Sequence, residues 1–182
     1  MPFQPGEMFK PSAGFIFGGG GGQAGSGPPK IEHRIGVQAP AEIIWDILAD
    51  LPSWSAWNPL YPEAAGEIRI GSVLTLRLAL PGQPDRMINP VVMEWVPLEQ
   101  LHWRLSMLGG MVTSVRYIEI EALGPGNCIV SNGEIFTGLL GGLVVGRLRK
   151  SIRRGFTEMG EALAARAEAR WREQGGAPKS ES

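Results

Sequence analysis

The chain has 182 residues, of which 43% are hydrophobic, enough for one well-packed core and few for two. Its 17 basic and 18 acidic side chains leave a net charge of -1, which argues against a dedicated nucleic-acid-binding protein. It has a single cysteine, no apolar run of about 18 residues and no secretory signal, so we expect a cytoplasmic protein without an internal disulfide.

The first 29 residues differ in composition from the rest of the chain. Five consecutive glycines (18–22) and the following QAGSGPP provide backbone freedom and little apolar surface to bury. The glycines do not form a phosphate-binding loop, because no Lys-Ser or Lys-Thr pair follows them. We predict a flexible N-terminal tail at 1–29, a folded domain at 30–172 and a polar C-terminal tail at 173–182.

The folded domain is predicted to begin with a strand and two short helices. KIEHRIGV (30–37) alternates as a half-buried strand does, and APAEIIWDILAD then has a proline in the first helical turn and apolar residues at helical spacing. Pro52 stops this helix. Trp54 and Trp57 follow on a second short helix or turn, where we expect Trp57 to pack inward and Trp54 to be partly exposed.

About six antiparallel strands and one long helix complete the domain. SVLTLRLAL and LHWRLSML alternate, and GPGN between VTSVRYIEIEAL and CIVSNGEIF indicates a hairpin turn. Pro90 inside RMINPVVMEWV predicts a bulge or an edge position, because proline cannot donate to a strand ladder. From about Leu139 the apolar spacing becomes helical and continues to about Trp171.

This order of elements predicts an α+β fold. An antiparallel sheet has to cover one face, and only one long helix is available to cover it. We therefore expect a curved antiparallel sheet wrapped around the C-terminal helix, with an apolar cavity between them.

Several motifs in this order resemble the SRPBCC superfamily, the START-like proteins of polyketide cyclase/dehydrase type. PAEIIWDILADLPSWSAWNP (40–59) is similar to the family's first-helix pattern with its final Trp-x-x-Trp-Asn-Pro, and GEIFTGLL (133–140) is similar to a second motif. RRGFTEMGEALAARAE (153–168) resembles the end of the family's last helix. The resemblance covers about residues 31–170 and implies a helix-grip fold with a deep hydrophobic pocket, but it does not choose among the family's functions.

One position departs from the family's pattern. Many relatives carry a His about two residues before a Phe on the strand that precedes the last hairpin turn, where this chain has Arg116 and Ile118. The resemblance and the alternation of the strands together suggest a set of ligand-binding residues. They are Trp57, Trp103, Leu105, Arg116, Ile118, Glu134, Phe136, Ile152, Phe156 and Met159.

Glu134 is the most informative polar residue of this set. It shares a strand face with Phe136, and a carboxylate in an apolar cavity has to be paired, hydrogen-bonded or protonated. Arg116 on the neighbouring strand is a candidate partner, depending on the hairpin register that GPGN sets. The two could form a structural ion pair, or they could orient the polar end of a ligand or move protons in a cyclisation.

Few residues offer catalytic chemistry. Glu134, Arg116 and His33 are the candidates, although ordinary packing is the commoner role for His33. Cys128 has no Cys or His neighbour in the sequence and is predicted to be a structural thiol. With His102 as the only other histidine, we expect no metal site and no cofactor.

The sequence therefore predicts binding of a hydrophobic small molecule, such as a lipid, a polyketide or an aromatic compound. One alternative is a polyketide cyclase, aromatase or dehydratase-like enzyme that uses the same cavity. A second alternative is a membrane-associated or interaction protein that uses the basic segment 146–154, although a solvated helix face is the commoner explanation of such a segment. The sequence leaves the oligomeric state open.

Overall fold

The computed structural model describes residues 27–176. The predicted tails therefore lie mostly outside the described residues, at 1–26 and 177–182. The elements, in chain order, are β1 (Lys30–Val37), α1 (Ala41–Ala49), a 3-10 helix (Leu51–Ala56), β2 (Glu63–Ala65), β3 (Thr75–Leu78), β4 (Arg86–Ile88), β5 (Val91–Val96), β6 (Gln100–Met107), a 3-10 turn (Leu108–Gly110), β7 (Val112–Gly124), β8 (Asn127–Thr137) and α2 (Gly141–Glu173).

Five of the strands form an antiparallel sheet in the order β1-β8-β7-β6-β5. Its longest pair is the β7–β8 hairpin, which the predicted GPGN turn closes with Gly124 opposite Asn127. α2 contacts β1, β7 and β8 of this sheet. Alternating residues of these strands are buried facing α2, as the period of two in their sequences predicts.

A second, smaller sheet has the order β2-β3-β4. It continues from the main sheet, because the segment before β3 pairs with β5 through a bridge between Val73 and Val91 and a bond from the Leu74 N–H to the Pro90 carbonyl. Pro90 lies between β4 and β5 and interrupts the segment in which a bulge or an edge position was predicted. The single strand predicted at 86–96 is thus two strands, and seven strands follow α1 in the described part of the chain.

α2 packs its apolar face on the concave side of the main sheet. Ile152, Phe156, Met159 and Leu163 recur along this face and are buried. Each such side chain contributes about 1.5–3 kcal/mol of burial free energy. The architecture is the expected helix-grip fold, with a curved antiparallel sheet around a long C-terminal helix.

The helix packs tightly against β1 at Gly160. A Cβ atom there would lie 2.7 Å from Nδ1 of His33 and 3.3 Å from Nδ2 of Asn132. The first of these distances is shorter than side chains tolerate, so the close packing of α2 on β1 and β8 depends on a glycine at this position.

The two tryptophans of the 3-10 segment lie opposite to the prediction. Trp54 is fully buried and its indole N–H donates to the Leu48 carbonyl at 3.2 Å, whereas Trp57 is only partly buried. The prediction was wrong because it assumed that both residues belong to one helical turn. Trp57 follows the helix with a φ of -144°, so its side chain leaves the helical spacing.

Candidate ligand-binding cavity

A narrow cavity lies between the concave face of the main sheet and the first half of α2. Its free volume is about 40 Å³, which holds no more than a few water molecules. It adjoins a surface cleft of about 220 Å³ that shares Leu78, Leu80, Arg86 and Leu148 with it. The cavity is lined by Tyr61, Leu78, Leu80, Arg86, Ile88, Trp103, Leu105, Met107, Glu134, Phe136, Val144, Leu148, Ile152 and Phe156.

The periodicities of the strands and of the helix place these apolar side chains. On β6 every second residue from Trp103 faces α2, and on α2 every fourth residue from Val144 to Phe156 faces the sheet. The small sheet completes the wall with Leu78 and Leu80. Eleven of the fourteen lining residues are Leu, Ile, Val, Met, Phe or Trp, so the cavity favours an apolar ligand.

Tyr61 reaches the cavity wall from the segment after the 3-10 helix. Oδ1 of the buried Asn58 accepts hydrogen bonds from the backbone N–H groups of Leu60 and Tyr61, at 3.1 and 3.0 Å, and so fixes the turn. The Tyr61 ring lies 6.0 Å from Trp103 and 5.8 Å from Trp54, measured between ring centroids. Trp54 thus supports two cavity-lining aromatic rings from behind.

Arg116 is buried next to the cavity and forms no ion pair within 4 Å among the described residues. Nη1 donates to the carbonyls of Tyr117 and Gly133 at 2.8 and 2.9 Å, and Nη2 donates to Oδ1 of Asn132 at 2.6 Å. The guanidinium carbon lies 4.0 Å from the centroid of the Phe156 ring. Carbonyl oxygens and an aromatic face therefore compensate this charge instead of a carboxylate.

Glu134 lies directly opposite Arg116 in the β7–β8 register, but the ion pair considered for these two residues is absent. Its carboxyl faces the cavity. Burial raises the pKa of this carboxyl above its ordinary value, and the opposing effects of the Ser114 hydroxyl and the charges of Arg116 and Arg86 do not cancel this rise. A carboxyl of this kind retains its proton more readily and can donate a hydrogen bond.

Tyr61 provides a second polar group in the cavity. Burial raises the pKa of its phenol, so the hydroxyl stays protonated at neutral pH. The described cavity therefore presents two polar groups, the Tyr61 hydroxyl and the Glu134 carboxyl, within an apolar wall, and the exposed Arg86 supplies a positive charge at its edge.

The structure brings together six of the residues predicted to bind a ligand. Trp103, Leu105, Glu134, Phe136, Ile152 and Phe156 all line the cavity. Trp57, Arg116, Ile118 and Met159 do not. Met159 and Arg116 lie beside each other behind the wall, where the Met159 sulfur lies 3.5 Å from Nη2.

His33 lies outside the cavity, in the contact between β1 and Gly160 of α2. Its Nδ1 is buried and finds no hydrogen-bond partner among the described residues. Burial lowers the pKa of its imidazole, with Glu161 acting in the opposite direction and Arg153 in the same direction. His33 is therefore a packed, neutral side chain that lies outside the candidate ligand-binding cavity.

Eight lining residues were missed by the sequence reasoning: Tyr61, Leu78, Leu80, Arg86, Ile88, Met107, Val144 and Leu148. The helical period already placed Val144 and Leu148 on the apolar face of α2, and β6 already carried Met107. The residues of the small sheet had no comparable signal, because the fold of that sheet over the end of α2 is set by tertiary contacts.

The remaining chemistry-bearing residues lie elsewhere. Cys128 is buried and unpaired, and burial raises the pKa of its thiol. His102 lies between Glu94 and Glu119, on the face of the sheet away from α2. Within residues 27–176 there is no group of three or more His, Cys, Asp or Glu side chains that could hold a metal ion. None of the helices described is long and apolar enough to cross a membrane.

A family model described as polyketide cyclase / dehydrase and lipid transport matches residues 28–168. The chain belongs to this family. The match confirms the resemblance to the SRPBCC superfamily and covers the whole grip, from β1 to the second half of α2. Membership of the polyketide cyclase / dehydrase and lipid transport family supports the binding of a hydrophobic molecule or a cyclase-like activity.

Solved structures share the fold of this family member at low sequence identity. The Zhui aromatase/cyclase from Streptomyces sp. R1128 is 19% identical with a TM-score of 0.67, over 82% of this chain and 99% of that one. A START superfamily protein from Mycobacterium smegmatis is 22% identical with a TM-score of 0.56, over 80% and 98%. Norcoclaurine synthase from Thalictrum flavum, in complex with dopamine and hydroxybenzaldehyde, is 14% identical with a TM-score of 0.57, over 75% and 84%. A search of curated protein sequences found no significant match.

Proposed function

We propose that the protein binds one hydrophobic small molecule, a lipid, a polyketide or an aromatic compound, in the cavity between its main sheet and α2. The observation that supports this most is a mostly apolar cavity whose wall also carries two polar groups, the Tyr61 phenol and the Glu134 carboxyl. Apolar burial supplies the affinity for such a ligand, and a few polar groups fix its orientation.

The two polar groups suit a ligand with a carbonyl or hydroxyl oxygen at its inner end. The Tyr61 hydroxyl can donate one hydrogen bond to that oxygen, and the Glu134 carboxyl can donate another when it carries its proton. Arg116 does not touch the ligand in this arrangement. It is a positioning residue, because its stacking on Phe156 and its bonds to Gly133 and Asn132 hold the cavity wall in place.

Binding requires the cavity to widen from about 40 Å³. The wall shared with the surface cleft provides the route, since it is formed by Leu78, Leu80, Arg86 and Leu148. The turn between β3 and β4 is largely exposed and contributes few buried contacts, so it can move at lower cost than the β7–β8 hairpin.

A cyclase-like activity in the same cavity is the second candidate function, and the position of the Glu134 carboxyl in the cavity wall favours it. Burial raises the pKa of this carboxyl, and a carboxyl with a raised pKa is better suited to protonate a carbonyl oxygen while the wall holds a reactive chain in a folded shape. If this holds, Glu134→Gln would retain ligand binding and lose turnover of a poly-carbonyl substrate.

Titration with N-phenylnaphthylamine, an uncharged dye that fluoresces in apolar surroundings, tests the binding proposal. Leu105→Trp fills the cavity and should abolish saturable dye binding. Leu123→Trp is the matched control, because Leu123 is 55% exposed at the far end of β7 and lies outside the cavity. Equal dye binding by the wild type and by both variants would show that the dye does not occupy the cavity and would refute the proposal.

A further inference from the structure

The β6–β7 connection and the segment that leads into α2 expose apolar side chains to solvent at one end of the grip. Leu139 before α2 is 92% exposed and Leu143 in its first turn is 72% exposed, and Leu108 and Met111 on the β6–β7 connection are 59% and 46% exposed. The two segments touch, because the Leu140 N–H donates to the Met111 carbonyl at 3.1 Å. We call Leu108, Met111, Leu139 and Leu143 the apolar tip.

A basic stripe on α2 begins directly behind the apolar tip. The segment 139–157 contains five basic residues and no acidic residue. With about 100° of rotation per residue, Arg147, Lys150 and Arg154 share a helix side with Leu143, opposite the buried Ile152. Within the described residues Arg154 pairs with Glu158, whereas Arg147 and Lys150 form no ion pair within 4 Å.

This combination fits the surface of an anionic lipid bilayer. Protruding leucines that insert at the interface, beside cations that meet lipid phosphates, are the usual elements of peripheral membrane binding. A protein partner is a poorer fit, because four protruding side chains cannot supply the area that a stable protein–protein interface buries. The charge of the stripe favours lipids with a net negative headgroup.

We propose that the apolar tip and the basic stripe dock the protein on an anionic membrane surface. This surface goes beyond the proposed ligand binding and does not depend on it. It does lie next to the cavity: Val144 and Leu148 line the cavity, one residue along α2 from Leu143 and Arg147. Docking by the tip would therefore bring the end of the cavity near the bilayer.

Vesicle co-sedimentation of the full chain tests the docking surface. The protein should sediment with phosphatidylcholine vesicles that contain phosphatidylglycerol, bind less at high salt, and stay in solution with phosphatidylcholine alone. Leu139→Ser and Leu143→Ser should each lower the partition coefficient about tenfold. Arg147→Glu with Lys150→Glu should lower it at least about twentyfold, since each cation near the surface contributes roughly fivefold.

Two matched controls sit far from the tip. Leu123→Ser removes an exposed leucine at the opposite end of β7, and Arg166→Glu reverses an exposed charge on the C-terminal half of α2. Both should sediment as the wild type does. All these positions are exposed, so thermal unfolding should stay unchanged and folding failure would not mimic lost binding.

Three outcomes would overturn the proposal. The first is sedimentation that is equal for neutral and anionic vesicles, and the second is binding that the tip and stripe variants leave unchanged. The third is a wild type that self-associates without binding vesicles and becomes monomeric on Leu143→Ser, which would assign the tip to a second copy of the chain. Dye binding by the cavity is measured separately, so failure of docking and failure of the proposed function are distinguishable.

Discussion

At the scale of single residues, the polar groups between the sheet and α2 are the least ordinary feature of the molecule. Arg116 is 1% exposed and its charge is held by backbone carbonyls, by Asn132 and by an aromatic ring. Asn132 in turn donates to the Phe156 carbonyl at 2.9 Å. This network joins β7, β8 and α2 at the edge of the cavity, which links the shape of the cavity wall to the integrity of the network.

Replacement of Arg116 by Met should lower the free energy of unfolding by about 2–3 kcal/mol. The variant leaves the acceptors at Gly133 and Asn132 buried without their donors, and such acceptors cost about 1–3 kcal/mol. Arg104→Met, on the exposed face of β6, is the control and should stay within about 0.5 kcal/mol of the wild type. Urea unfolding measures both, and equal losses would show that the network does not stabilise the fold.

Glu134→Gln should change how stability depends on pH. The pKa of this carboxyl is raised above 4.5 in the folded state, so its contribution is fully present below pH 4.5 and is lost as the pH rises through the folded pKa. Gln has the shape of the protonated carboxyl and cannot ionise. The variant should therefore gain stability relative to the wild type as the pH rises from about 4.5 towards neutral.

Thermal unfolding across this pH range measures the difference between the two proteins. A constant difference would mean that the Glu134 carboxyl titrates as it does in the unfolded chain. The sequence places Arg116 and Glu134 on neighbouring strands, but it does not fix their register, because the pairing shifts between Ala122 and Gly124. The sequence does not exclude the ion pair either, because even a known register shows which residues lie opposite each other and not where a long guanidinium side chain finds its acceptors.

At the scale of elements, the packing of α2 against β1 depends on Gly160, a residue without a side chain. The helix can approach His33 because residue 160 is a glycine. This approach sets the distance between helix and sheet, and that distance limits the width of the cavity further along α2.

Gly160→Ala should destabilise the protein by about 1–3 kcal/mol through overpacking, although alanine is the better helix former. Gly146→Ala on the same helix is the matched control, because its Cβ would meet nothing within 4 Å. The control should gain up to about 1 kcal/mol from helix propensity. Urea unfolding would contradict this explanation if both variants changed stability in the same direction.

A compensating change provides a further check on the same contact. His33→Ala removes the ring that an alanine at position 160 would meet, so the double variant should recover part of the loss. If the losses of stability from the two substitutions simply add, the contact between position 160 and His33 is not the source of the overpacking.

The long elements were predictable and the short ones were not, for a physical reason. The β7–β8 hairpin and α2 have enough residues for a period of two or of about 3.6 to stand out, and a GPGN turn marks the hairpin. β2 and β4 have three residues each, too few to show a period. They exist because neighbouring backbone pairs with them, and this pairing is decided by the tertiary fold.

At the scale of the whole molecule, the helix held in the curved sheet leaves only a small apolar space between helix and sheet. Free space of about 40 Å³ means that ligand affinity is reduced by the work of opening the wall. The mobile part is expected near Leu148 and the β3–β4 turn, and the rigid part at the β7–β8 hairpin.

Hydrogen exchange should show this division. Saturation with N-phenylnaphthylamine should slow amide exchange in the β3–β4 turn and in residues 144–152, because the ligand then holds the wall in one state. Amides of β7 and β8 should exchange slowly with or without the dye. Uniform protection of the whole chain would instead indicate global stabilisation without a local opening.

The central claim is that the cavity between the sheet and α2 binds one hydrophobic molecule, and native mass spectrometry of the purified full chain tests it most directly. We predict a wild type that retains one lipid-like molecule or takes up one molecule of N-phenylnaphthylamine, and a Leu105→Trp variant that does neither. The claim would be contradicted by a wild type that takes up no dye. It would also be contradicted by a Leu105→Trp variant that binds as the wild type does.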